Sequence, residues 1–484
     1  MLKKTLQSLT SALIGFSLFI FNHCALAAAT HAKDKPYNIV FIVTDDESWF
    51  ERSAYGFTKL KTPNFQAIAD QGVLFENAHA SAPSCAPSRA STLTGRHFWQ
   101  LEQGAIIQAW LPKKFPTFVS TLKDNGYFVG RTGKGWGPGI FPPQAHKPDL
   151  AGEIYQEVTF PLPAKGMTAI DYVGNFEFML NSRKEKQPFF AWIGIEEPHG
   201  PFNENNYQKL ADEYGVTPQD LMVPGNMPDT PEYRKKRANF LYEVMYADKQ
   251  IGRILNLLEQ KNELNNTLLI VTSDNGTTPP ASDFAKTSPY EAGTRVPMAI
   301  MLPGAIPAKR VVTDYTTTAD IGPTILEAAN VPIPTSMTGK SLWSILTSNK
   351  SGRVDPSRNF AVTGLEWHGE FDPKSLAFRA YRNDNYAIIL RYNNVDKNGK
   401  TLSNSALTEP AKIELYDLKK DIWQLTDLAQ NSQYQGIKNK LLHAIREYGV
   451  KQHDPRFTGD MDIFKQTRKF VIDRKLAGYV ANPY

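Results

Sequence analysis

The residue types able to do chemistry gather around a single thiol. Cys85 sits in the run Ser84-Cys85-Ala86-Pro87-Ser88-Arg89, and Arg96 follows shortly after. The only other cysteine, Cys24, falls in an N-terminal stretch that reads as a leader. A lone buried cysteine can be no more than a small hydrophobe. Here proline, small hydroxyl residues and two arginines surround it, a setting that suits a reactive group. Hard oxygen ligands form a second theme. Asp45-Asp46 and Asp274-Asn275 come with no cluster of imidazoles or thiolates, which favours calcium or magnesium over zinc, and calcium for an exported protein. Aspartates also cap helices, but an adjacent pair at a strand end suits a metal better. A thiolate is a poor partner for such an ion. Either Cys85 stands away from the metal, or it is not a cysteine in the working protein.

The elements that must position these groups are legible as buried strands. Asn38 to Thr44 (NIVFIVT) is a continuous apolar run rich in β-branched residues, which predicts a strand covered on both faces. It hands on to Asp45-Asp46. Pro188 to Ile195 (PFFAWIGI) is a second such strand, ending in Glu196-Glu197-Pro198-His199. A third, Thr267 to Thr272 (TLLIVT), ends in Ser273-Asp274-Asn275-Gly276. Polar groups at the carboxyl ends of buried strands are where open α/β sheets place their sites. Tyr127 to Gly130 predicts a strand leading to Thr132-Gly133-Lys134-Gly135-Trp136-Gly137. Its glycines allow close backbone approach to a ligand, and Lys134 brings a point charge. A helix is expected to begin near Ser91, with Arg89 in its first turn and its amides favouring an anion.

Helices expected over 63–71, 115–125 and 239–258 alternate with these strands. The fold class is therefore α/β, a large mixed, mostly parallel sheet flanked by helices. The spacing predicts a catalytic domain over 36–350, a linker at 351–357 and a smaller C-terminal α+β domain over 359–484. In that second domain 387–392 and 413–416 read as antiparallel strands, and 436–448 as a helix packed on them.

Residues 1–29 carry Lys3, Lys4, an apolar run from Leu9 to Phe21 and small residues at Ala25-Leu26-Ala27. That is the pattern of a secretory signal peptide, and the apolar run is short for a membrane span. We therefore expect an exported protein, periplasmic or secreted, with no membrane association once the leader is cleaved. A lone cysteine in an oxidising compartment makes no internal disulfide, which sharpens the question of what Cys85 is for. The net charge of +5 suits a polyanionic substrate without pointing to nucleic acid, and no nucleic-acid partner is expected.

The run Cys85-Ala86-Pro87-Ser88-Arg89 followed by Leu93-Thr94-Gly95-Arg96 resembles the signature of the type I sulfatases of the alkaline phosphatase superfamily. Asp45-Asp46 and Asp274-Asn275 resemble that family's two metal pairs. Lys134 resembles the lysine of its G-K loop, and His199 the histidine of its P-H motif. Lys286, ahead of Glu291-Ala292-Gly293, resembles its second sulfate-binding lysine. Glu414 to Leu418 (ELYDL) matches the run marking the small C-terminal domain. The resemblance implies an alkaline phosphatase-like fold and oxidation of Cys85 to formylglycine by a sulfatase-maturing enzyme. It also implies one calcium ion held by Asp45, Asp46, residue 85, Asp274 and Asn275. A hydrated aldehyde offers oxygen to a hard metal, which removes the mismatch between thiolate and ion. Arg89, Lys134 and Lys286 would balance sulfuryl charge, and His199 would protonate the leaving group.

One position departs from the pattern. Trp136 stands where the family commonly has histidine, and it suits either stacking on a sugar ring or core packing. Together with similarity to the sulfamidases around Asp274-Asn275-Gly276, this leads us to expect a sulfated carbohydrate substrate. A carrageenan-type algal galactan is favoured; a glucosamine N-sulfate, or a phosphodiester or phosphonate, is the alternative. Glu366, His368 and Arg379 are candidate sugar contacts from the small domain.

Overall fold

The computed structural model describes residues 36–278, 283–368 and 377–473, so the expected leader at 1–29 lies outside the described residues. Strand β1 (Asn38–Thr44) is buried at every position, as its unbroken apolar run requires. Its side chains alternate between two cores. Ile39, Phe41 and Val43 pack with Trp192 and Ile270 on one face, while Val40 and Ile42 pack with Ile193 and Val271 on the other.

The strands follow in chain order as β2 (Val73–Phe75), β3 (Ala78–His79), β4 (Phe128–Gly133), β5 (Glu153–Ile154), β6 (Phe189–Gly194), β7 (Thr267–Ser273), β8 (Met298–Met301), β9 (Arg310–Val312) and β10 (Thr316–Thr317). All but β3 and β10 join one sheet in the order β5-β4-β6-β1-β7-β8-β2-β9. It is parallel except where β8 runs against β7 and β2. The helices that flank it are α1 (Pro63–Gln71), α2 (Cys85–Thr94), α3 (Phe118–Asp124), α4 (Tyr172–Ser182), α5 (Asn206–Tyr214) and α6 (Pro231–Gln260). Ala86, Ala90 and Leu93 of α2 enter the first core. Phe176 of α4 and Ile251, Ile254 and Leu258 of α6 enter the second.

A second sheet, β11 (Phe360–Leu365), β12 (Phe378–Asn383), β13 (Tyr386–Arg391) and β14 (Lys412–Asp417), is antiparallel throughout. The helix Gln435–Lys451 lies on it, with Leu441 and Ile445 against Ile388, Leu390 and Leu415. The fold is thus α/β, a large mostly parallel sheet flanked by helices with a small antiparallel C-terminal domain, as the sequence leads one to expect.

The two boundaries that differ most from expectation do so for physical reasons. The helix expected near Ser91 begins at Cys85, with Ser84 extended at its N-cap. Pro87 reads as a loop residue, but the first-turn N–H groups of a helix have no internal partner, so proline is tolerated there. Helix α6 starts eight residues before the expected Asn239. Its first turns are polar, so no apolar periodicity marks them; the signal is Thr230, whose hydroxyl accepts from the Tyr233 N–H, followed by Pro231. The expected linker is also tied down. Gly352 N–H donates to Val311 O at 2.8 Å, and the carboxylate of Asp314 accepts from Val354 and Asp355 N–H at 2.8 and 2.7 Å.

Candidate active site

Four neighbouring strands end level with one another. Val43 of β1 is paired with Gly194 of β6, Gly194 with Gly133 of β4, and Thr44 with Ser273 of β7. The residues that follow are Asp45-Asp46, Glu196 to His199, Lys134 and Asp274-Asn275, so convergence is a consequence of register. Gly194 permits it: a Cβ there would lie 1.8 Å from the Lys134 carbonyl oxygen. Asp46 takes a left-handed backbone conformation at φ 69, one that aspartate tolerates better than most residues. Helix α2 supplies Cys85 at its first position and Arg89 one turn on, and the loop before Glu291 supplies Lys286.

The groups form one connected network. Lys286 Nζ donates to Asp46 Oδ1 at 2.6 Å and to Cys85 Sγ at 3.0 Å. Asn275 Nδ2 donates to the same Asp46 oxygen at 2.7 Å, and Thr278 Oγ1 donates to Asp46 Oδ2. Lys134 Nζ pairs with Asp45 Oδ2. Arg89 Nε donates to Asp274 Oδ2 at 2.7 Å, and its Nη1 donates to the carbonyls of Lys134 and Gly135 at 2.9 and 3.0 Å. His199 Nε2 stands 3.7 Å from Asp46 Oδ2, while its Nδ1 lies 2.7 Å from Gly200 O. His199 keeps 36% of its side chain exposed where Lys286 keeps 7%. The imidazole therefore stands at the mouth of the site and the ammonium at its floor.

Asp45, Asp46 and Asp274 face Arg89, Lys134 and Lys286, three buried acids against three buried bases. Burial opposes ionisation of Asp45, but Lys134, His199 and Arg89 override it and hold that carboxyl well below the usual range. Asp274 goes the other way: burial, then Asp45, pushes it up to about 6. Burial alone would lower Lys134, and Asp45 reverses the sign. The thiol of Cys85 is pushed by burial up to about 11. A sulfur so protonated is a poor nucleophile.

The residues fit a hard cation. Ligand atoms of Asp45, Asp46, Cys85 and His199 all lie within 4.8 Å of one another. Asp45 Oδ1 and Asn275 Oδ1 are buried with no hydrogen-bond donor, as is Arg89 Nη2 on the donor side. Orphaned oxygens at a buried acidic cluster are what a hard metal would satisfy. Asp45, Asp46, Asp274, Asn275 and residue 85 could hold such a cation there; when bound, it would polarise a substrate oxygen.

The expected sugar contacts divide. His368 Nδ1 lies 3.0 Å from Ser84 Oγ, beside Cys85, and burial with nearby Lys286 lowers the imidazole to about 3. Glu366 and Arg379 are corrections. Arg379 pairs with Glu366 at 2.6 Å and with Asp454, and Arg456 Nη2 holds the other Glu366 oxygen at 2.7 Å, all with side chains 2% exposed or less. This is a buried ion network of the small domain, and among the described residues these side chains are spent on one another. Trp136 follows the core-packing reading: it is 3% exposed, its Nε1 donates to Ala86 O at 3.1 Å, and its ring meets Phe141 edge-on. It braces the first turn of α2 from beneath.

Sequence reasoning missed Thr278 and Ser84 as members of the site. Thr278 follows Asp274-Asn275-Gly276-Thr277 on the same loop, which was a usable signal. Ser84 stands in the run around Cys85, but nothing in the sequence marks its contact with His368.

The sulfatase family model matches residues 37–331, and the model of the N-sulphoglucosamine sulphohydrolase C-terminal region matches 282–451. An ulvan-active sulfatase of Formosa agariphila is 26% identical over 443 residues, covering 89% of this chain and 83% of its own. A protein solved with its substrate D-glucosamine-2-N,6-O-disulfate superposes with a TM-score of 0.68 at 20% identity, over 87% of this chain and 99% of that one. Another, solved with a neocarrahexaose, gives 0.63 at 20% identity, over 90% and 100%. The first of those family models spans more than half of the chain and takes in every strand end that builds the buried cluster, so this protein belongs to the sulfatase family.

Proposed function

We propose that the protein hydrolyses sulfate esters on a sulfated polysaccharide or its oligosaccharides, with carrageenan-type galactans the favoured substrate. The observation that carries this reading is the placement of residue 85 between Lys286 and an acidic cluster with unsatisfied oxygens. A thiolate is mismatched to the hard cation that such oxygen ligands would hold; an oxygen nucleophile is not. We therefore assign formylglycine to position 85, made by a maturation enzyme in the producing cell, and its hydrate supplies the attacking hydroxyl.

The chain's own groups then have defined tasks. Lys134, Lys286 and Arg89 Nη2, which makes no hydrogen bond and lies 4.0 Å from Asp45 Oδ2, face the sulfuryl oxygens, and the N-terminus of α2 adds oriented amides. Burial makes each of these charges more effective than it would be in water. Arg89 fixes Asp274 and the Lys134 loop together. His199, at the mouth with Nε2 facing inward, donates the proton that the departing sugar oxygen needs. Trp136, through Ala86 O, and the Ser84 carbonyl, which accepts from Ser88 N–H at 3.0 Å, hold the residue-85 turn in place. Export through the leader at 1–29 would bring the enzyme to extracellular polysaccharide.

A screen of sulfate release across carrageenans, ulvan, heparan fragments and fucoidan tests the substrate. Release from carrageenan above the others is expected; release from heparan N-sulfate alone would favour the sulfamidase alternative. Matched sulfate and phosphate esters test the reaction, and preference for phosphate would overturn it.

A further inference from the structure

One acidic residue at the mouth, Glu196, has no task in the sulfatase mechanism, and the role assigned to it rests on that mechanism. Strand β6 lies between β4 and β1, with Gly194 level with Gly133 on one side and Val43 on the other. Ile195 continues the ladder, its N–H donating to Val43 O at 3.0 Å. Two residues past Gly194, Glu196 therefore reaches the level of Asp45, and by the two-residue alternation of strands it shares the sheet face of Val43 and Asp45. That is the face on which α2 packs. The Glu196 backbone is fixed on both sides: its N–H donates to Tyr172 Oη at 2.8 Å, and its carbonyl accepts from His199 N–H at 2.9 Å. The turn so formed returns His199 toward Asp46.

The side chain is half-buried, and among the described residues it has no hydrogen-bond or ion-pair partner. Burial and then Asp45 raise its carboxyl, while Lys134, Arg89 and His199 act in the opposite sense. Its neighbour Glu197 differs: it turns inward and accepts from Thr168 N–H at 3.0 Å and Tyr172 Oη at 2.9 Å. An unpaired carboxylate beside a sulfate pocket repels the ester's own oxygens. Its presence is favourable only toward a substrate that brings a hydrogen-bond donor next to the sulfate.

We propose that Glu196 is a specificity residue that accepts a hydrogen bond from a sugar hydroxyl adjacent to the scissile sulfate. It disfavours sulfate esters whose alcohol carries no such hydroxyl. The test compares kcat/KM for 4-nitrophenyl sulfate with that for the oligosaccharide desulfated fastest in the polysaccharide screen, in wild type, Glu196→Gln and Glu196→Ala. The ratio of oligosaccharide to aryl sulfate is expected to fall at least tenfold in Glu196→Ala, mainly through KM, and less in Glu196→Gln, which keeps an acceptor. A ratio unchanged within twofold, or equal losses on both probes, would overturn the assignment. Hydrolysis of the aryl sulfate alone by wild type would overturn it too, leaving the sulfatase reading standing. Release from neither probe would overturn that reading as well.

Discussion

Arg89 is the side chain on which the geometry of the site most depends, so its removal makes the sharpest demand on the structure. Arg89→Met keeps the apolar stem and deletes three hydrogen bonds, to Asp274 Oδ2, Lys134 O and Gly135 O. Both partners of the ion pair have side chains 1% exposed, so solvent cannot compensate the abandoned carboxylate. Breaking a buried pair from one side costs about 3–5 kcal/mol. For a chain of 484 residues the unfolding entropy is about 1 kcal/mol per degree, so the melting temperature should drop by about 3–5 °C. Scanning calorimetry with calcium and with chelator adds a second readout. A bound cation compensates part of the Asp274 charge, so the drop should be larger in chelator. Turnover should fall at least about a hundredfold, as when one donor to developing charge is lost. Arg89→Lys, which keeps charge but not the fork, should fall between. A melting temperature within 1 °C of wild type under both conditions, with turnover within about threefold, would rule out this role for Arg89.

Three further outcomes follow from named contacts. His199→Ala should lose about 10²–10⁴-fold in kcat on a sugar sulfate and much less on 4-nitrophenyl sulfate, whose leaving group needs no proton; steady-state kinetics on both esters checks it. Chelation should abolish turnover and lower the melting temperature, with calcium restoring both; saturating metal at about a hundred times its Kd stabilises by about 2.7 kcal/mol. Glu243, raised by burial and then by Glu197 to about 9, has Oε2 unsatisfied and Oε1 accepting from Asn206 Nδ2. Its folded-state value lies above its unfolded one, so the stability it contributes is complete below about pH 4.5 and is lost as pH rises toward 9. Glu243→Gln mimics the neutral form, so it should melt about 4–5 °C above wild type at pH 8 and together with it at pH 4.5.

Much of the site was legible because the sheet is parallel and buried. Unbroken apolar runs located β1, β6 and β7, and the residues after each run are the ones that converge. The start of α2 was not legible, because Ser-Cys-Ala-Pro-Ser reads equally as a loop and as a capped first turn. Side-chain direction was the larger gap. Glu366 and Arg379 look like surface charges in a sequence, and only the approach of Arg456 and Asp454, about 75–90 residues on in the chain, turns them into an internal network. Trp136 was open between pocket and core for the same reason: nothing local says that Ala86 O would stand 3.1 Å from its indole nitrogen.

The proposed mechanism turns on residue 85 working as an oxygen nucleophile and not as a thiol. Peptide mass spectrometry of catalytically active protein from the native host reads this at the residue itself. The peptide containing residue 85 should be about 18 Da lighter than its cysteine form, the change from a thiol-bearing carbon to an aldehyde, and the modified fraction should track specific activity. An intact thiol at Cys85 in fully active protein would show the mechanism to be wrong.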